Sequence, residues 1–264
     1  MINVNDVYQT VLLILNKEQR GYLTPNEFNK IATQVQLEIF ENTFEDLNRQ
    51  YRVLGVDDEY ADRLDHLDEE ISIFKEYSNA SYYSEDPLGP IENPYFYLPE
   101  NVFRIGTIMY KGEQAIQATN RGEYLHLNMS KLTRPTTNYP LYIQEGVVTP
   151  EDPLNPGTYL CEDCVRIYVY PEEINKDVSL SYVRKPKDVI WAYVQGSLGQ
   201  YQYEANPGPT VIPNTGSQDF ELDDNLQTEV VLRILAYAGV VIRDPQIVQA
   251  ATQQVALNEA NQKS

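Results

Sequence analysis

The chain is poor in the residues that buried chemistry needs: it has two cysteines, two histidines and one tryptophan. Cys161 and Cys164, spaced C-x-x-C, supply two thiolates where a structural zinc needs four ligands, and nothing else in the chain completes the site. Two cysteines also exclude a disulfide framework, so the pair reads as two buried or half-exposed thiols ahead of a strand, made in a reducing compartment. His66 falls in a heptad pattern and His126 in what reads as a strand segment, and neither has a partner for nucleophilic catalysis. There is no G-x-S-x-G elbow and no glycine loop to cradle phosphate. No apolar run approaches the ~20 residues that span a bilayer, and residues 1–11 lack a basic n-region, so the sequence predicts no membrane anchor and no secretion signal.

Basic charge is scarce as well. Twenty Lys and Arg stand against 39 Asp and Glu, a formal charge of -19, which excludes non-specific affinity for a phosphate backbone. Acid pairs such as Glu69-Glu70, Glu151-Asp152 and Asp223-Asp224 follow from that composition, and on helices they read as solvated faces. A glycosidase needs only two carboxylates at the right separation, so a tail-associated muralytic hydrolase using a carboxylate pair is the alternative reading. The composition otherwise predicts no enzyme, no cofactor and no metal.

Tyrosine, in contrast, is abundant: 21 residues against seven phenylalanines. A ring with a polar tip suits surfaces that are apolar in one contact and wet in another. Tyr82, Tyr83, Tyr95, Phe96, Tyr97, Tyr201 and Tyr203, all in irregular-looking stretches, are therefore the candidates for contacts between subunits.

Apolar periodicity places helices at both ends. Val4, Val7, Tyr8, Val11, Leu12 and Leu15 form one stripe behind an Asn3 or Asn5 cap. Thr24, Pro25 and Glu27 form a capping box with proline at the first helical position, bracketed by Leu23 and Phe28 as a hydrophobic staple. The helix they open runs through Ile31, Val35, Ile39, Phe40, Phe44, Leu47, Tyr51 and Leu54 to a stop at Gly55. A third helix starts at Asp57 or Asp58 and continues to Phe74. Leu226, Val230, Val231, Ile234, Leu235 and Tyr237 mark an apolar helix near the C-terminus, and Asp244-Pro245 begins a last one. The interval Asn16 to Glu27 has EF-hand spacing, but Arg20 stands at a ligand position and Glu27 is claimed by Thr24, so a tight helix-helix turn is expected there.

Between the helices the period changes to two. Val102 to Tyr110 reads as a strand that turns at Lys111-Gly112 into a second at Ala115 to Thr119. Val165 to Tyr170 and Val178 to Tyr182 read as an antiparallel pair. The predicted organisation is an α+β fold in which N-terminal and C-terminal helices form a bundle around an inserted antiparallel β domain. Its parts are an N-terminal bundle (1–77), a Tyr/Pro-rich docking loop (78–100), the β domain (101–195), a Pro/Gly-rich loop (196–218), and C-terminal helices (219–264) packing on the N-terminal bundle.

This order, with Gly21-x-Leu23-Thr24-Pro25-x-Glu27-Phe28-Asn29, Thr133-Arg134-Pro135-Thr136, Tyr139-Pro140-Leu141-Tyr142, Tyr182-Val183-Arg184-Lys185-Pro186, Trp191 and Ile242-Arg243-Asp244-Pro245-Gln246, resembles the head-to-tail ring proteins of short-tailed crAss-like bacteriophages. The layout is similar to that of podovirus tail accessory factors. The resemblance implies a virion structural protein, a homo-oligomeric ring commonly of twelve copies in the head-tail connector. Such a ring would be made in the host bacterial cytoplasm and would bind the portal protein and adjacent ring or tail proteins. Genome DNA would pass through during ejection without specific binding. No catalytic residue is implied.

Overall fold

The structure is a computed structural model and describes residues 1–17, 23–52, 68–242, 253, 254, 256 and 257. It is α+β, and the chain divides into two compact units, Met1–Ile73 with Pro186–Ser264, and Phe74–Lys185. The second is an insertion in the first. Its first and last strands pair with each other, Lys75 opposite Val183, so the chain comes in and leaves side by side.

In the helical unit, α1 (Val4–Lys17) is opened by Asn3, whose Oδ1 accepts from the N–H groups of Asn5 at 2.9 Å and Asp6 at 3.2 Å. α2 (Pro25–Arg52) begins at the predicted capping box. The expected stripes are buried: Val4, Val7, Val11 and Leu15 on α1, and Phe28, Val35 and Ile39 on α2. With Val230, Ile234 and Ala238 of the C-terminal helix (Gln227–Ile242) and with Val189, Trp191 and Phe220, they form one core. The C-terminal helix packs on both α1 and α2, the closure that the apolar stripes at the two ends predict. The expected helix from Asp57 lies mostly outside the described residues; 68–72 are helical, and the unit ends at Ile73 rather than at 77. The last helix, from Asp244, also lies largely outside them.

The inserted unit is built of nine strands. β1 (Lys75–Asn79), β4 (Val102–Tyr110), β5 (Gln114–Ala115) and β9 (Val178–Arg184) form one sheet in the order β1-β9-β4-β5. β2 (Ser81–Asp86), β3 (Gly89–Tyr97), β6 (Gln117–Thr119), β7 (Leu141–Val148) and β8 (Cys164–Tyr170) form the other in the order β2-β3-β8-β7-β6. All pairings are antiparallel except β6 with β7. The two sheets share a core to which Phe96, Ile167 and Val169 contribute from one and Ile108, Val178 and Leu180 from the other. At Lys111-Gly112 both residues have positive φ, 55° and 71°, the conformation that a tight hairpin turn requires.

Five expectations are corrected. The interval 78–100 is a β-hairpin rather than a docking loop. Its Pro90 and Pro94 are accommodated because β3 meets β8 only at Phe96 and Tyr97, so the proline-bearing half has β2 as its one ladder neighbour. β8 and β9, expected to pair, lie in different sheets; each is alternating and could pair with any strand, and the sandwich decides. The β domain spans 74–185 rather than 101–195, because the hairpin belongs to it. The interval 196–218 contributes β11 (Tyr201–Tyr203) and β12 (Val211–Ile212), which flank β10 (Tyr193–Gln195) in a small sheet of the helical unit. His126 is helical: α3 (Arg121–Met129) follows β6, capped by Asn120, whose Oδ1 accepts from Glu123 N–H at 2.8 Å. The C-terminal helix Gln227–Ile242 is thus α4.

Candidate interaction surfaces

The helix cap is formed as predicted. Thr24 N–H donates to Glu27 Oε2 at 3.0 Å, Glu27 N–H donates to Thr24 Oγ1 at 3.4 Å, and the Thr24 hydroxyl donates to the same carboxylate at 2.7 Å. Pro25 occupies the first helical position, where no backbone donor is needed. Leu23 and Phe28 are both buried, completing the staple. The hydrogen bond from the Thr24 side chain is the main cause holding the Glu27 carboxyl below its usual range. That commitment leaves Glu27 a poor twelfth ligand for calcium. Residues 18–22 of the EF-hand-like interval lie outside the described residues, and among the described residues no group of three or more His, Cys, Asp and Glu is placed to hold a metal ion.

The candidate contact tyrosines have different fates. Tyr82 lies opposite Phe96 and Tyr83 opposite Tyr95, with ring centroids 5.0 and 5.3 Å apart. Phe96 points into the shared core, and Tyr82 packs against that core partly buried. On the other face Tyr95 meets Tyr168 edge-on, and the Arg166 guanidinium lies over both rings. The Tyr83 hydroxyl donates to the Glu151 carbonyl at 2.9 Å. Burial is the main cause raising the Tyr95 phenol to about 12. Tyr83, Tyr95 and Phe96 are thus spent inside the unit, because the pleat turns alternate rings of a paired strand onto its neighbours, and they are not available to a neighbouring subunit. Tyr97 is half-buried.

Tyr201 and Tyr203 line a cleft of about 560 Å³ in the helical unit, with Asn5, Gln9, Leu12 and Trp191 among its walls. Trp191 stands at its floor, its indole N–H donating to Asn5 Oδ1 at 3.1 Å, and its ring 5.8 Å from Tyr203 and 4.4 Å from Tyr8. Tyr193 meets Tyr201 edge-on at 4.7 Å.

Three features that hold these surfaces were not singled out in the sequence. Along α2, Asn29, Thr33 and Gln36 bind the backbone of the extended segment 187–191. Asn29 Oδ1 accepts from Trp191 N–H at 2.8 Å, Thr33 Oγ1 from Val189 N–H at 3.0 Å, and Gln36 Nε2 donates to the Lys187 carbonyl at 2.7 Å. Their i, i+4, i+7 spacing, threaded through the apolar face, was the available signal. Arg233 is buried between Glu229 and Glu38, with Nε to Glu229 at 2.8 Å and Nη1 to Glu38 at 2.5 Å, tying α4 to α2. At the base of the inserted unit, Arg184 lies 2.9 Å from Glu76 as a charge contact, and the Tyr182 hydroxyl donates to the Glu76 carboxylate at 2.9 Å. The structure also joins Cys161 and Cys164 in a disulfide, correcting the expectation of two thiols: one turn brings their Cα atoms to 6.0 Å, within bridging reach.

α3 is held to its sheet by side-chain contacts, among them the Thr119 hydroxyl donating to Glu123 Oε2 at 2.8 Å. Arg121 makes a two-pronged pair with Glu145 at 2.6 and 2.9 Å, and Tyr124 stacks on Tyr170 at 4.1 Å. The Arg121 hydrogen bond holds the Glu145 carboxyl below its usual range. No residue of α3 is buried.

No helix among the described residues is long and apolar enough to cross a membrane. No protein-family model matches the chain, and no curated protein is found to be similar to it.

Proposed function

We propose that this chain is a structural ring protein of the portal-to-tail connector of a short-tailed bacteriophage, a passive conduit for genome DNA and a docking platform for tail parts. The observation that carries the reading is the architecture: helices from both termini close on one core and present an inserted β unit through a paired strand base. This order agrees with what the sequence resemblance implies, and a part of this design offers many surfaces to neighbours. The acidic balance supports the conduit role. Each Lys or Arg against phosphate would add counterion-release affinity and slow a sliding polyanion, whereas a chain of charge -19 does not hold it.

The alternative, a muralytic hydrolase working through a carboxylate pair, needs one carboxyl raised in a cleft to act as general acid. Glu27, Glu145 and Asp152 are each moved the other way, and each by hydrogen bonds that serve structure: Thr24, Arg121 and Asn155 respectively. Nothing in the described residues favours that reading over the ring.

The test is the assembly itself. The purified full chain, alone and with portal protein, is weighed by native mass spectrometry and imaged by negative stain, and closed rings of one stoichiometry are the expected result. A chain that remains monomeric alone and with the portal overturns the proposal. Duplex DNA is expected to show negligible affinity at physiological salt, and micromolar binding there would overturn the passive conduit.

A further inference from the structure

The inserted unit carries two exposed patches of opposite charge, each built around a leucine that no described residue covers. The first is the tip of the β2-β3 hairpin. Leu88 is 98% exposed, in a turn fixed by its own N–H donating to Asp86 Oδ1 at 2.8 Å. Around it stand Glu85, Asp86 and Glu92, with no Lys or Arg between residues 81 and 97. The second patch is α3 and the turn after it, residues 121–134. Met129 is 80% and Leu132 97% exposed, and Leu125 is exposed beside them. This stretch holds Arg121, Lys131 and Arg134 against the single acid Glu123, the reverse of the balance in the whole chain. Arg121 is taken by Glu145, while Lys131 and Arg134 are exposed, with no ion pair to a described residue.

α3 also lacks the packing that ordinarily holds so short a helix. A nine-residue helix is marginal in water without a buried face, and this one buries none of its residues. The exposure of both leucines shows that the two patches do not cover each other within one chain. The chain as a whole carries 39 acidic against 20 basic residues, so two copies carry like net charge and repel, and the basic apolar face is where a second copy meets least opposition.

We propose that the hairpin tip of one copy, with Leu88 between Glu85, Asp86 and Glu92, docks on the Leu125, Met129 and Leu132 face of another, steered by Lys131 and Arg134. This inference rests on the ring reading and deepens it by naming the subunit contact. Two different patches make a heterologous contact, which, repeated from copy to copy, closes into a ring or runs on as a filament. A polyanion is disfavoured as the occupant because the cations are few and apolar side chains lie among them.

The test is charge reversal and complementation in the full chain. One variant carries Lys131→Glu and Arg134→Glu, the other Glu85→Lys and Glu92→Lys; all four positions are exposed, Asp86 is left to hold its turn, and circular dichroism checks that the fold is kept. Each variant alone is expected to lose self-association by ~100-fold or more in sedimentation, because like charges then face each other. An equimolar mixture is expected to recover it, since each contact again joins opposite charges. Leu88→Ser is expected to weaken assembly without any charge change. Wild type that assembles together with reversed variants that assemble equally well overturns the contact and leaves the ring reading standing. Assembly that stops at two copies but still obeys the complementation keeps the contact and overturns the ring. Loss of duplex DNA binding in the Lys131/Arg134 variant with self-association unchanged assigns the patch to phosphate and overturns the proposal, as does wild type that is monomeric at millimolar concentration.

Discussion

Gln36→Leu tests the way the helical unit holds its irregular segment. Gln36 is 1% exposed and its amide bridges two chain segments: Nε2 donates to the Lys187 carbonyl at 2.7 Å and Oε1 accepts from Glu221 N–H at 2.7 Å. Leucine has nearly the same volume and a similar helix propensity, so neither cavity nor helix terms confuse the result. What changes is that two backbone groups, one of them buried, lose their partners, at about 1–3 kcal/mol each, offset by about 1 kcal/mol of added apolar burial. The net expectation is a loss of about 3 kcal/mol, or roughly 6–12 °C in Tm for a unit of this size. Urea denaturation followed by Trp191 fluorescence is the assay, because the single tryptophan lies in the same core and its backbone is held by the same helix. Gln34→Leu, on the exposed side of α2, is the control and should stay within about 0.5 kcal/mol of wild type. A Gln36→Leu variant as stable as that control would refute the claim that α2 supplies the backbone partners of residues 187–221.

Thr24→Ala should cost about 1 kcal/mol through the lost cap, read as a lower urea midpoint with unchanged slope. Glu27 has its pKa lowered in the folded state, so its contribution is fully present above the ordinary carboxylate range and is lost as pH falls through the folded value. The Tm gap between wild type and Glu27→Gln should therefore shrink below about pH 4. Arg233→Met should destabilise by about 3 kcal/mol, because it leaves Glu229 with its guanidinium partner removed in a largely buried setting; chemical denaturation that gives no loss would show the pair to be dispensable. Millimolar calcium should leave Tm unchanged and give no heat in titration calorimetry, since the Glu27 carboxylate already accepts from Thr24. Tyr83→Phe should lose about 1 kcal/mol through the missing bond to the Glu151 carbonyl, with assembly unaffected, in line with a ring spent inside its own unit.

Much of the fold is legible in the chain because the signals are local. The stripe Val4 to Leu15 buries itself as its spacing requires, and Thr24-Pro25-Glu27 caps α2 with atoms only three residues apart. Val230, Ile234 and Ala238 form a face that must be covered, and α1 and α2 cover it. Likewise the turn at Lys111-Gly112 follows from two adjacent residues. The candidate surfaces are less legible, since burial of a tyrosine depends on which strand lies beside it. Proline density between 86 and 99 reads as a loop, but Pro90 and Pro94 sit where β3 has a single ladder neighbour, and that is a property of sheet order. The same holds for β8 and β9, whose alternation demands a buried face without naming the partner strand.

By itself, then, the sequence determined α1, α2 and α4, the caps of α1 and α2, the presence of an inserted β unit and the acidic balance, because each depends on neighbours along the chain or on composition. Only the tertiary structure decided that the 78–100 tyrosines are mostly spent inward, that Asn29, Thr33 and Gln36 serve a backbone more than 150 residues away, and that Leu88 and Leu132 are left uncovered. Those outcomes turn on contacts between distant segments, and a contact is fixed by where the whole core places each surface rather than by the residues on either side.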